Sequence, residues 1–394
     1  MATRPPSSDI AREFFNSLLV ERVRKTAAQL GHFFKYISSQ GSILPLPKLI
    51  TENAKNIKSG IPLVDALLKV SNQCISLSTR LQQVNPPVID YFLGENKDLK
   101  EIGKFVISYE ILKSEAIFEK HKRNINRDEK RPGKFNENDC DEFLSSDDWY
   151  RFITYKLSSG CTTSSDLLKN NVTFITFNYD VSLSSLLYQS FQSIDKFDQK
   201  DIEDFFSDNR FIHVYGSIRD FRSFFADEAK FHLINELDNW NRHRADICEF
   251  LDTIYTYSGR IRTIDPDEKI SDLTSIDAAQ KAISEAECVY ILGYGFDVNN
   301  NKRLSLKKSL GNRKIIAFTN FGDKNIINKR SGRVIFGDPT IFTSREVFGF
   351  SGHSRGAEKS TKTVYAAISE DFESIEEDFE FKNGIIQPFF DEEV

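Results

Sequence analysis

The chain has one methionine, two tryptophans and five cysteines: Cys74, Cys140, Cys161, Cys248 and Cys288. None of the cysteines forms a Cys-x-x-Cys pair, which excludes a zinc knuckle and a disulfide framework; scattered thiols suit a reducing cytosol. No metal is expected. Long apolar runs are also missing, and no stretch approaches the ~20 residues of a membrane span. The opening residues, Met1-Ala2-Thr3-Arg4-Pro5-Pro6, lack the apolar core of a signal peptide. There is no positive surplus either. A net charge of −6 argues against broad binding to nucleic acid, which needs a clustered basic face. No fixed-period repeat is present, against a solenoid. The absences point to a cytoplasmic protein with neither membrane nor nucleic acid as partner.

What is present is ordinary in bulk and unusual in detail. The 394 residues, 40% hydrophobic and 28% charged, suffice for one large domain or two ordinary ones. Phenylalanine is frequent, at 34. Residues 9–37 predict one or two helices, with Ser8 or Asp9 as cap and Ile10, Phe14, Leu18 and Leu19 near helical spacing. Residues 60–83 predict another, ended by Pro86-Pro87. Over 98–121, Leu99, Ile102, Phe105, Val106, Tyr109 and Leu112 make one apolar stripe, read as core packing. The charged stretch 120–142, with Arg131-Pro132-Gly133, reads as an exposed loop. Trp149, Tyr150, Phe152, Ile153 and Leu157 begin a further amphipathic helix.

The texture then changes. Val172 to Phe177 is a β-rich apolar run ended by Asn178-Tyr179-Asp180. Phe211 to Tyr215 is a second, ended by Gly216. Cys288 to Leu292 is a third, ended by Gly293-Tyr294-Gly295, and Lys314 to Thr319 a fourth, ended by Asn320. Apolar strands alternating with helices, notably over 272–286, predict an α/β fold with one parallel sheet covered on both faces. Ligands of such sheets sit outside the carboxyl ends of the strands, so the polar residues there are the candidates. From Ala366 to Val394 ten acidic residues face one basic residue, Lys382. The segment reads as a solvated tail or, because Phe372, Phe379, Phe381, Phe389 and Phe390 punctuate it, as an interaction segment.

Four pieces resemble the bacterial sirtuin-like NAD-binding domains of anti-phage defence systems: Thr173 to Asp180, Ile212-His213-Val214-Tyr215-Gly216-Ser217, Leu292 to Asn300, and Glu101-Ile102-Gly103-Lys104. The resemblance covers roughly residues 8–345. It implies a Rossmann-like parallel sheet with helices on both faces and a helical insertion at about 40–160, leaving 346–394 as a C-terminal extension. It implies NAD as ligand, and NAD+ hydrolysis to nicotinamide and ADP-ribose as activity. Deacetylation is disfavoured, since the four-cysteine zinc module of deacetylating sirtuins is missing. A homo-oligomer or a defence partner protein is implied as well.

The resemblance also implies roles. Asn178 matches the ribose-contacting Asn, where an amide orients hydroxyls and an attacking water; the residues alone also read as a strand-end turn. The catalytic His of most sirtuins directly precedes a Gly, where this chain has Tyr215; His213 lies two residues earlier. His213 is therefore either the base of a variant motif, sharing a strand face with Tyr215, or a core histidine beside a disabled site. Asp180, Tyr215, Gly216, Ser217, Gly293, Tyr294, Gly295, Asp297 and Asn300 are the expected cofactor contacts. Gly293 and Gly295 allow close approach of backbone to a nucleotide, and Asp297, Asn299 and Asn300 suit adenosine-ribose hydroxyls. A simple strand-to-helix turn is the other reading of that stretch. The chain lacks the strand and Gly-Ala-Gly-x-Ser loop that open the family and cradle pyrophosphate. Arg4 to Ile10 resembles the downstream flank of that loop, so a strand and loop are expected upstream of Met1. Without them the alternative is a catalytically degenerate module that binds a nucleotide or a partner protein.

Overall fold

Val20, Val23, Ala27, Leu30, Phe34 and Ile37 recur every three or four residues, and all are buried. They form the inner stripe of helix α1 (Ser8–Ser39). Leu67, Val70, Cys74, Leu77 and Leu81 repeat the same spacing on α3 (Pro62–Val84) and are likewise buried. Two such stripes satisfy each other by lying side by side, and α1 packs on α3. The Ser71 hydroxyl donates to the Gly31 carbonyl oxygen at 2.8 Å where they cross.

The structure, a computed structural model, describes residues 8–40, 47–54, 62–86, 89–128, 149–207, 210–222, 240–263, 274–311, 315–320, 323–339 and 357–360. The chain divides into two compact units. The first takes Met1–Gly133, Asn178–Ser182 and Tyr215–Glu268; the second takes Lys134–Phe177, Leu183–Val214 and Lys269–Val394.

The first unit is helical. Besides α1 and α3 it holds α2 (Lys48–Ala54), α4 (Ile89–Glu95), α5 (Lys100–Asp128) and α9 (Trp240–Ser258). The apolar stripe expected over 98–121 is the buried face of α5 and the turn before it, from Leu99 to Leu112 and on to Ala116. It packs on α1, α3 and α9. Gly103 on α5 makes room for Leu93 of α4, because a Cβ there would overlap the leucine side chain. The first part of the stretch expected to be a loop over 120–142 is helical, since α5 continues to Asp128. The run Glu119-Lys120-His121-Lys122-Arg123 is rich in strong helix formers, which carry the helix on. Residues 129–142 lie outside the described residues, as do Cys140 and the acidic tail.

The second unit alternates helix and strand. In chain order it runs α6 (Trp149–Ser159), β1 (Phe174–Thr176), α7 (Ser182–Gln192), α8 (Gln199–Ser207), β2 (Phe211–His213), α10 (Thr274–Glu285) and β3 (Cys288–Ile291). Then come α11 (Val298–Arg303), α12 (Leu306–Leu310), β4 (Ile315–Thr319), α13 (Asn325–Ile335) and β5 (Ala357–Ser360). Among the described residues every strand pair is parallel, as expected. The strands of the described residues form two sheets rather than the single one expected: β1 pairs with β2, and β3, β4 and β5 make a second sheet in that order. β4 has neighbours on both sides and is buried from Ile316 to Thr319. β1 and most of β3, at sheet edges, are only half-buried. β5 falls within the segment assigned to an extension beyond 345, and it completes the second sheet.

Part of the phenylalanine surplus is spent beside β1 and β2. Phe174 stacks on its register partner Phe211 at 4.9 Å, and Phe211 stacks on Phe206 at 5.1 Å. Phe191 meets Phe197 and Phe205 edge to face. Offset and edge-on pairs of this kind add roughly 0.5–1.5 kcal/mol each beyond their buried area. Among the described residues, no helix is long and apolar enough to cross a membrane.

Candidate functional site

In the first unit, two turns carry the expected residues. The first is Asn178-Tyr179-Asp180, which comes after β1 in the chain. Asn178 is exposed and Tyr179 is buried, so the turn points its amide outward and its ring inward. The Tyr179 hydroxyl lies 2.8 Å from Asp90 Oδ1 and 2.7 Å from the Arg262 carbonyl oxygen. Asp180 Oδ1 accepts from the Ser182 N–H at 3.2 Å, leading the chain into α7.

The second turn is Tyr215-Gly216-Ser217. Tyr215 is buried, and its carbonyl accepts from the Arg262 N–H at 2.9 Å. Gly216 has φ +82°, and a Cβ there would run into the Arg260 carbonyl oxygen. Gly216→Ala is therefore expected to cost about 2 kcal/mol or more, from left-handed strain plus a backbone clash. A urea melt of the variant checks this; a midpoint unchanged from wild type would show the turn to be slack.

The two turns are bonded to each other. The Ile218 N–H donates to the Tyr179 carbonyl oxygen at 2.8 Å. Glu115 of α5 reaches both: Oε1 accepts from the Val181 N–H at 3.2 Å and Oε2 from Arg219 Nε at 2.8 Å. The side chains of Arg219 and Glu115 are 4% and 7% exposed, making a buried ion pair. Burial pushes the Glu115 carboxyl above its ordinary range, while the Arg219 charge and the Val181 N–H pull it back. Asp90 is raised by burial to about 6, with the Tyr179 hydroxyl acting the other way.

In the second unit the candidates sit at strand ends. Thr176 and His213 end β1 and β2 as register partners. The strand expected to reach Tyr215 stops at His213, and Val214 and Tyr215 form a turn. Two-residue alternation therefore does not place His213 and Tyr215 on one strand face. The Val214 carbonyl, beyond the strand, accepts from the Ser275 hydroxyl at 2.9 Å.

Phe177, just past β1, stacks on Tyr294, just past β3, with ring centroids 5.3 Å apart and planes 11° from parallel. The carboxyl ends of the two sheets thus meet. Gly293 is exposed at φ +62°, and nothing stands within 4 Å of where its Cβ would be. Its N–H donates to Thr319 Oγ1 at the end of β4, at 2.8 Å. The Tyr294 hydroxyl donates to Asn301 Oδ1 at 2.9 Å. Gly295 is buried, and its carbonyl accepts from Arg330 Nη1 at 3.4 Å. Phe296 is fully buried at φ +49°, a left-handed position rare for a bulky residue. Asp297 caps α11, with Oδ1 accepting from the Asn299 and Asn300 N–H groups at 3.0 and 3.1 Å. The strand-to-helix turn is thus real, and one Asp297 oxygen is committed to it. Asn300 is half-buried in the first turn of that helix.

No family model matches the chain, and neither a curated protein nor a solved structure does. Among the described residues, no group of three His, Cys, Asp or Glu is placed to hold a metal ion.

Sequence reasoning missed Asp90, Glu115, Arg219 and Thr319. Glu115 left a signal. It stands three residues after Leu112 and one before Ala116, in phase with the apolar stripe of α5, where an ionised side chain needs a buried partner. Nothing local marks that partner as Arg219, 104 residues away.

Proposed function

We propose that the chain is a sirtuin-like NAD+ hydrolase acting in bacterial anti-phage defence, releasing nicotinamide and ADP-ribose. The two small parallel sheets are the parts of a Rossmann-like layer with helices on both faces. The observation that carries the reading is the Phe177–Tyr294 stack. It brings together the carboxyl ends of β1 and β3 beside an exposed, left-handed Gly293, the place where open α/β sheets take their ligands.

Each residue has its role. A water attacks the ribose anomeric carbon, and the bond to the nicotinamide nitrogen breaks with its electron pair leaving on nicotinamide. The proton of the water goes to the base, His213. Asn178 orients the ribose hydroxyls and the water while positive charge develops on the ring. Gly293 and Gly295 admit the nucleotide backbone, with Tyr294, Asp297 and Asn300 beside them. Asp180, Tyr215, Gly216 and Ser217 supply the remaining contacts.

A second reading, a silent module that binds a nucleotide or a partner protein, is favoured by one observation. Tyr215 stands where most sirtuins have their catalytic His, and it is buried. Titration calorimetry with NAD, paired with a nicotinamide-release assay on the full chain, separates the two. Heat and release together are the expected result. Heat without release selects the silent module, and neither signal overturns NAD as the ligand.

A further inference from the structure

We infer that in mild acid Asp90 carries a proton and, through Tyr179, holds Asn178 in place for the cleavage proposed above. The inference rests on that NAD reading for the reaction it serves and on hydrogen-bond geometry for the rest.

The Tyr179 hydroxyl has one proton and two oxygen neighbours, Asp90 Oδ1 at 2.8 Å and the Arg262 carbonyl oxygen at 2.7 Å. A main-chain carbonyl only accepts. An ionised Asp90 would also only accept, leaving one hydroxyl proton for two close acceptors. A protonated Asp90 resolves the conflict: it donates to the Tyr179 oxygen, and Tyr179 donates to Arg262. Burial pushes Asp90 up to about 6 while the Tyr179 hydroxyl acts the other way, so the neutral form prevails in mild acid, below that value. Tyr179 stays protonated, its hydroxyl held well above the usual tyrosine range chiefly by burial. Tyr215 adds a further upward push on Tyr179.

The relay ends beside the candidate catalytic amide. Tyr179 is fixed at its hydroxyl by Asp90 and Arg262 and at its carbonyl by the Ile218 N–H. Its neighbour Asn178 is exposed. A tyrosine clamped at both ends sets the backbone from which that amide projects. Misplacing a reacting group by about 1 Å costs on the order of 100-fold in rate. Asp90 is thus a positioning residue: it acts on the reaction through Tyr179 and Asn178.

The test compares wild type, Tyr179→Phe, Asp90→Ala and Asp90→Asn in the full chain, in mild acid below the Asp90 value. The readouts are kcat and KM for nicotinamide release, and amide exchange over residues 178–182. Tyr179→Phe and Asp90→Ala are each expected to lower kcat about tenfold or more, with KM within about threefold, since orientation rather than affinity is lost. Asp90→Asn keeps an N–H donor toward Tyr179 and is expected to stay near wild type in both readouts. Exchange over 178–182 should rise in the first two variants and not in the third. Wild-type kcat in Tyr179→Phe and Asp90→Ala overturns the positioning role while leaving NAD hydrolysis standing. Equal losses in Asp90→Asn and Asp90→Ala overturn the assigned proton. If wild type releases no nicotinamide, the NAD reading fails and the catalytic role fails with it. Exchange then decides the clamp alone, and unchanged exchange overturns it.

Discussion

If the chain cleaves NAD as proposed, Asn178→Ala is expected to slow nicotinamide release about 10²–10³-fold, the usual loss when one oriented polar group at the reacting centre is removed. The melting temperature should move by no more than a few degrees. The physical basis is the division of labour within its turn. Asn178 is exposed while Tyr179 and Val181 are buried, so truncating the amide leaves no cavity in the core. Surface substitutions away from such features stay within about 0.5 kcal/mol. His213→Ala should match the loss only if that imidazole is the base. Full activity in Asn178→Ala would remove this residue from the mechanism. A drop in activity that merely tracks a drop in stability would mean the amide is structural.

Arg219→Ala is expected to destabilise the protein by about 3–5 kcal/mol, because it strands the Glu115 carboxylate in the interior without its counter-charge. That is a large part of the roughly 5–15 kcal/mol a folded protein has to spare. The loss depends on pH in a definite direction. Glu115 is already raised above its ordinary range by burial, and losing Arg219 raises it further. A carboxyl whose folded value exceeds its unfolded value binds more protons when folded, so its contribution to stability falls as pH climbs between the two. The deficit of Arg219→Ala should therefore be smallest in acid and grow toward neutral pH. The double variant Glu115→Leu/Arg219→Met should recover part of it, since replacing both charges with apolar groups of similar volume is often neutral or better, while the Val181 N–H loses its carboxylate acceptor. Urea melts in mild acid and at neutral pH measure all three expectations. A deficit in Arg219→Ala that does not vary with pH would mean Glu115 is already neutral in the wild type.

The helices were legible because their apolar positions repeat. The three-and-four spacing of Val20 to Ile37 and of Leu67 to Leu81 runs through the stretches expected to be helical, 9–37 and 60–83, and α1 and α3 lie there. The strands were legible in composition and not in extent. Phe211 to Tyr215 is uniformly apolar or aromatic apart from His213, yet pairing stops at His213 because Val214 and Tyr215 turn away. Which strands share a sheet depends on partners that periodicity cannot see, so one sheet was expected and two are found. The strand-end residues were found by their position after apolar runs. The groups that hold them, Asp90 and Glu115, were missed because their bonds reach across 89 and 66 residues to Tyr179 and Val181. Asp297 carried both readings in its sequence, and its bonds to the Asn299 and Asn300 N–H groups establish the cap.

Glu115 has one consequence for how energies divide. Its two carboxylate oxygens grip two different turns, Val181 in one and Arg219 in the other, and those turns share a further bond between Ile218 and Tyr179. They therefore shift as one body. A contact that pulls on the Asn178 turn is felt at Ser217, and the reverse holds equally. Effects of substitutions in the two turns will not add, and a double-mutant cycle across them reports the coupling through Glu115 together with the Ile218–Tyr179 bond.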